Sequence, residues 1–136
     1  MKSIICWVDG GYNNVKKTNG YGSFLIRNGE EDILKRFLLP EANSSNEAEY
    51  LSLLKLLDEL YALVNWVWKQ EKISVIIKSD SQLMVNQIKG TWKVNSQRLV
   101  ELNHKCLTEI KDIEISNVKL KLQWINREEN VIMLGH

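Results

Sequence analysis

The run Ile4-Ile5-Cys6-Trp7-Val8 is apolar at every position, and it restricts the fold more than any other stretch of the chain. A strand apolar on both faces must be covered on both, which places it in the middle of a sheet. Neighbours for it are available on either side in the sequence. Residues 20–27 read as a second strand and 33–39 as a third, with the strong turn signal Asn28-Gly29 between them. Together these predict an antiparallel meander at the start of the domain. Pro40 then breaks the chain ahead of a long helix, which Ser44 or Ser45 can cap. Along that helix Leu53, Leu56, Leu57, Leu60, Leu63 and Val64 recur at helical spacing. Residues 73–77 are rich in β-branched side chains and predict a further strand. A short helix over 81–89 is broken by Gly90, and a second helix follows over 96–110. Residues 118–125 alternate Val118, Leu120, Leu122 and Trp124 with Lys119, Lys121 and Gln123, the pattern of a strand with one wetter face. Beyond it we expect at most a helical stub over 130–136. The order β-β-β-α-β-α-α-β is that of a mixed α/β sheet with helices packed on it.

At 136 residues, with 44% hydrophobic and 26% charged positions, the chain has the composition of one globular domain spanning 1–136. A net charge of +1 exerts no global pull on nucleic acid or membrane. Any basic footprint must be local, as at Lys16-Lys17 or between Lys89 and Lys93. Cys6 and Cys106 fall on a strand and a helix without metal-ligand spacing, so buried free thiols are expected instead of a disulfide or zinc site. The apolar-rich segment 51–68 is interrupted by Lys55, Asp58, Glu59 and Asn65, which makes it amphipathic and not a membrane span. Met1-Lys2 lead directly into a strand without a leader-like apolar stretch. The expectation is a cytoplasmic monomer with no membrane partner and no small-molecule cofactor.

Three carboxylates stand where secondary elements meet loops. Asp9 closes the first apolar run and precedes Gly10-Gly11; Glu49 opens the long helix; Asp80 follows the strand over 73–77. Taken singly, each has a plain structural reading: a turn, a complement to the helix dipole, a helix cap. Brought to one point, they would repel one another unless a hard divalent cation neutralised them. Oxygen ligands of this kind suit Mg²⁺, and phosphodiester chemistry becomes the leading reading.

The segments Trp7-Val8-Asp9-Gly10-Gly11, Ser44-Ser45-Asn46-Glu47-Ala48-Glu49-Tyr50 and 78–87 resemble, in order and spacing, the three signature blocks of ribonuclease H, type 1. Gly90-Thr91-Trp92-Lys93-Val94 resembles the segment after the third block. Residues 124–130 resemble the Arg-x-x-Asn block of the shorter bacterial and archaeal-like members. The resemblance covers nearly the whole chain. It implies a ribonuclease H-like fold with a five-stranded mixed sheet in the order 3-2-1-4-5, helices on both faces, and a C-terminal helix that is short or absent. It also implies an endonuclease that cuts the RNA strand of RNA–DNA hybrids with two Mg²⁺ or Mn²⁺ ions held by Asp9, Glu49 and Asp80. Substrate contacts would fall on the backbone of Gly10 and Gly11, on Ser44, Ser45 and Asn46, and on Gln82, which would read 2′-hydroxyls. Trp92, Lys93 and Asn95 would lie under the DNA strand. Arg127 either contacts phosphate or pairs with Glu129.

One departure stands out. The family usually carries a fourth carboxylate near position 134, and Val131 to Gly135 contain no Asp or Glu. His136 could replace it, Glu128 or Glu129 could reach in, or the second ion could be weakly held. We adopt the reading without a fourth ligand of normal strength, with His136 as the candidate substitute. The alternative function is a hybrid- or RNA-binding module whose catalysis is weak or lost. An aspartyl-phosphate phosphotransferase is disfavoured, because Gly11 stands where a second Asp is needed, and no Gly-rich phosphate loop exists. Trp7, Trp66, Trp68 and Trp124 are expected in core or interface, and His104 on a partly exposed helix face.

Overall fold

The computed structural model describes residues 1–13, 15, 19–69 and 71–135. Its strands are β1 (Lys2–Asn13), β2 (Asn19–Arg27), β3 (Asp32–Leu39), β4 (Ile73–Ser79) and β5 (Val118–Trp124). Its helices are α1 (Ser45–Ala62), α2 (Gln82–Ile88), α3 (Gln97–Glu114) and α4 (Arg127–Leu134). The strands form one sheet in the order β3-β2-β1-β4-β5. β1 is central, as its two apolar faces require. On one side it pairs antiparallel with β2, and on the other parallel with β4.

The two faces of β1 serve two cores. Ile4, Cys6 and Val8 join Phe24, Ile26, Val75 and Ile77 beneath the leucines of α1 and the apolar side of α3. Trp7 packs on the opposite face with Leu25, Ile125 and Leu134, under α4. Helices therefore cover both sides of the sheet. Both cysteines are buried and free. Of the tryptophans expected in core or interface, Trp7 and Trp68 are buried in the core, whereas Trp66, 72% exposed, and Trp124, 47% exposed, lie outside it. Trp66 lies in a wider π-helical turn, Leu63–Val67, that continues α1; within it Val64 is buried, whereas Trp66 and Val67 are exposed.

Helix starts follow their caps. Ser44, Ser81, Ser96 and Asn126 each accept a backbone N–H three residues on, at α1, α2, α3 and α4 respectively. α4 thus begins at Arg127, three residues before the expected stub. No helix among the described residues is long and apolar enough to cross a membrane.

The site depends on where strands part. The parallel pairing of β1 with β4 ends at Val8 opposite Ser79, whereas β1 continues to Asn13 against β2 alone. Asp9 was expected to end its strand; it sits inside β1 instead, at the first residue that β4 no longer accompanies. Asp80 follows the last residue of β4. The crevice opens between them, and α1 approaches it closely. A Cβ on Gly10 would stand 2.3 Å from the carbonyl oxygen of Ala48. We predict that Gly10→Ala lowers stability by about 1–3 kcal/mol, the usual cost of forcing extra atoms into a packed contact. Urea denaturation measures this, and an unchanged midpoint would show that α1 can retreat freely.

Candidate metal centre

Asp9, Glu49 and Asp80 each bring a carboxylate oxygen to within 4.8 Å of the others, the one such trio of His, Cys, Asp or Glu among the described residues. Asp9 comes from β1, Asp80 from the end of β4, and Glu49 from the first turns of α1, so the strand divergence and the tight contact at Gly10 together assemble them. The side chains of Asp9 and Asp80 are only 5% and 8% exposed. Glu49 accepts a hydrogen bond of 2.7 Å from the Gly10 amide. Burial, then the charges of Asp9 and Asp80, push its pKa up to about 9. That is the electrostatic signature of carboxylates crowded together with too little positive charge. Three hard oxygen donors fit Mg²⁺ or Mn²⁺ well.

Positive charge is supplied by Arg127, the first residue of α4. One guanidinium nitrogen, Nη1, donates to Asp9 Oδ2 and Asp80 Oδ2, each at 2.9 Å. These bonds, that to Asp80 foremost, hold the Arg127 pKa above its ordinary value. Neither sequence expectation anticipated this position. Glu129 instead meets Trp7 Nε1 and Lys78 Nζ, each at 3.4 Å. Lys78 also stands over the Trp7 ring.

Asn130 was not among the expected site residues, and the structure puts it there. It is fully buried, and its Nδ2 donates to Val8 O at 3.0 Å and to Asp80 Oδ1 at 3.1 Å. Its Oδ1 has no hydrogen-bond partner among the described residues. The available signal was spacing: Arg127 and Asn130 are three residues apart, so they share one helix face once α4 starts at Arg127.

The remaining expected residues lie as follows. Ser44 caps α1, accepting from Glu47 N at 3.1 Å, while Ser45 and Asn46 are exposed in the helix's first turn. Gln82 is exposed at the start of α2. The Gly10 amide is committed to Glu49, and Gly11 lies within β1 opposite Tyr21 of β2. Trp92 and Lys93 are exposed on the loop between α2 and α3. That loop is tied down by Asn86 O, which accepts from Thr91 N and Trp92 N, and by Gln87 Nε2, which donates to Lys93 O at 3.2 Å. Position 134 carries a buried leucine in the Trp7 cluster. Glu128 is exposed and Glu129 is engaged elsewhere; neither joins the trio. His136 lies outside the described residues.

The sequence profile of the reverse transcriptase-like family matches residues 7–133. The chain belongs to that family. Its fold is ribonuclease H-like, as its solved neighbours attest. LC11-RNase H1, isolated from compost by a metagenomic approach, superposes with a TM-score of 0.79 at 26% identity, over 97% of this chain and 90% of that one. The same enzyme in complex with an RNA/DNA hybrid gives 0.75 at 24% identity, over 95% and 89%. The N-terminal RNase H domain of a Mycobacterium tuberculosis protein gives 0.76 at 20% identity, over 95% and 91%. A curated relative, the bifunctional pantoate ligase/cytidylate kinase of Prochlorococcus marinus, is 34% identical over 84 residues. That match takes in 59% of this ribonuclease H-like chain but only 16% of the relative.

The raised pKa of Glu49 has a consequence for stability. Between its ordinary value of 4.5 and about 9, the folded protein retains a proton that the unfolded chain has lost. Stability in chelator must therefore fall as pH rises through this window. Glu109, raised to about 8 by burial and by Asp58, contributes in the same direction. We predict that Glu49→Gln makes melting temperature less dependent on pH without abolishing the slope, and that stabilisation by added Mg²⁺ grows with pH in the wild type. Thermal melts at pH 5, 7 and 9 test both, and parallel slopes for wild type and variant would refute the assignment.

Proposed function

We propose that the protein is a metal-dependent endonuclease that hydrolyses the RNA strand of RNA–DNA hybrids. The observation that carries this reading is the meeting of three buried or half-buried carboxylates at the parting of β1 and β4 in a ribonuclease H-like fold. Asp9, Glu49 and Asp80 would hold two Mg²⁺ or Mn²⁺ ions. When bound, such ions activate water and stabilise the leaving oxygen. The chain's own contribution is to fix these oxygens. The Gly10 amide orients Glu49, and the Asn130 amide orients Asp80 while bonding the β1 backbone. Around them Ser45, Asn46 and Gln82 offer exposed polar side chains at the starts of α1 and α2, suited to ribose 2′-hydroxyls. The anchored loop presents Trp92 and Lys93 to the DNA strand, where a ring and an ammonium group position sugar and phosphate without reading bases.

The buried leucine at position 134 favours a second reading, a hybrid-binding module with weak catalysis. One experiment separates the two. A hybrid carrying a labelled RNA strand is incubated with Mg²⁺ and, separately, Mn²⁺, beside single-stranded RNA and both homoduplexes. Cleavage confined to the hybrid supports the nuclease; binding without cleavage in either metal leaves the module. Asp9→Asn is expected to abolish cleavage with hybrid binding retained, and residual turnover in that variant would remove Asp9 from the machinery. Lys93→Ala should weaken hybrid binding equally for all sequences and lower the salt slope by about 1. Fluorescence anisotropy at several salt concentrations measures that slope.

A further inference from the structure

We propose that Arg127 is the resident counter-cation of the carboxylate trio, which a divalent ion must displace, and that displacement frees the guanidinium for the substrate phosphate. The substrate half of this rests on the nuclease reading; the metal half does not. A single nitrogen of Arg127 lies at 2.9 Å from one oxygen of Asp9 and one of Asp80. An ion held by these acids would need carboxylate oxygens from the same cluster that Arg127 now neutralises, with the guanidinium's fixed positive charge directly beside it. The two cations therefore compete.

The placement of Arg127 suits an exchangeable cation. It is the first residue of α4, and its side chain is 60% exposed, so it can swing outward without disturbing either core. The helix that carries it stays in place by other means. Asn126 caps it, Glu129 holds Trp7 and Lys78, and Asn130 bonds Val8 and Asp80. Lys78, the neighbouring cation, is occupied by Glu129 and cannot substitute. Charge-assisted hydrogen bonds to two carboxylates are strong enough to oppose an incoming ion, yet solvent access keeps them reversible. A guanidinium released beside a scissile phosphate is also well shaped to grip it, through its planar fork of donors. Metal and substrate then favour one another through a single side chain, and linkage requires that coupling to be mutual.

Three measurements decide it. Mn²⁺ is titrated calorimetrically into nucleic-acid-free wild type, Arg127→Ala and Arg127→Lys. The alanine variant is expected to bind Mn²⁺ at least about fivefold more tightly, with the lysine variant between the two, as loss of a 1–3 kcal/mol coupling implies. In chelator the alanine variant should melt lower than wild type and gain more on Mn²⁺ addition. With hybrid, its affinity in chelator should match wild type within about twofold, while its KM in Mn²⁺ rises about fivefold or more. Unchanged or weaker Mn²⁺ binding by Arg127→Ala overturns the proposal. Tighter Mn²⁺ binding with an unchanged KM overturns the substrate half alone. Wild type that binds no Mn²⁺ removes the metal centre itself and the nuclease reading with it.

Discussion

Mutual repulsion among Asp9, Glu49 and Asp80 is the constraint around which this molecule is arranged. Three carboxylates within 4.8 Å, two of them almost wholly sheltered from water, are stable only with compensation from their surroundings. Compensation arrives in three forms. Arg127 contributes charge, the amides of Gly10 and Asn130 contribute oriented donors, and Glu49 retains its proton well into the alkaline range. α4 delivers Arg127 and Asn130, β1 the Gly10 amide and α1 Glu49, so compensation at one point is shared among three elements. None of these elements could shift much without reopening the conflict. The packing that fixes them is accordingly tight, to the point that only glycine fits at position 10.

Much of this was legible in the chain itself, and the legible part has a common cause. The uninterrupted apolar run in β1 demanded a central position and cover on both faces, and Trp7 and Val8 divide between two cores as that demands. Ser44 announced the start of α1, because side-chain capping is a local event read within a few residues. The three acids were visible because each lay beside a boundary between elements. All of these signals are short-range or follow from periodicity.

What escaped the reading was long-range. Asp9 looked like the end of a strand because Gly10-Gly11 read as a break, yet partnership with β2 carries β1 on to Asn13. Arg127 offered a local partner in Glu129, but Lys78 and Trp7, distant in sequence, claimed that carboxylate. Asn130 bonds partners 50 and 122 positions away, which no periodicity could disclose. In each case, contacts that exist only after folding overrode a sound local preference.

The divergence of β4 from β1 has a further effect. Beyond Val8, the flank of β1 that faced β4 loses its strand partner, which ordinarily leaves a row of idle backbone donors and acceptors open to foreign chains. Here Asn130 occupies Val8 O and Glu49 occupies Gly10 N, so two polar side chains act as a surrogate neighbour for the missing strand. Substitutions at Glu49 or Asn130 would uncover this ribbon of backbone, whereas substitutions at Asp9 or Asp80 would not. Variants at these four positions would thus sort into two kinds: those that stay dispersed, and those prone to self-association through an exposed sheet margin.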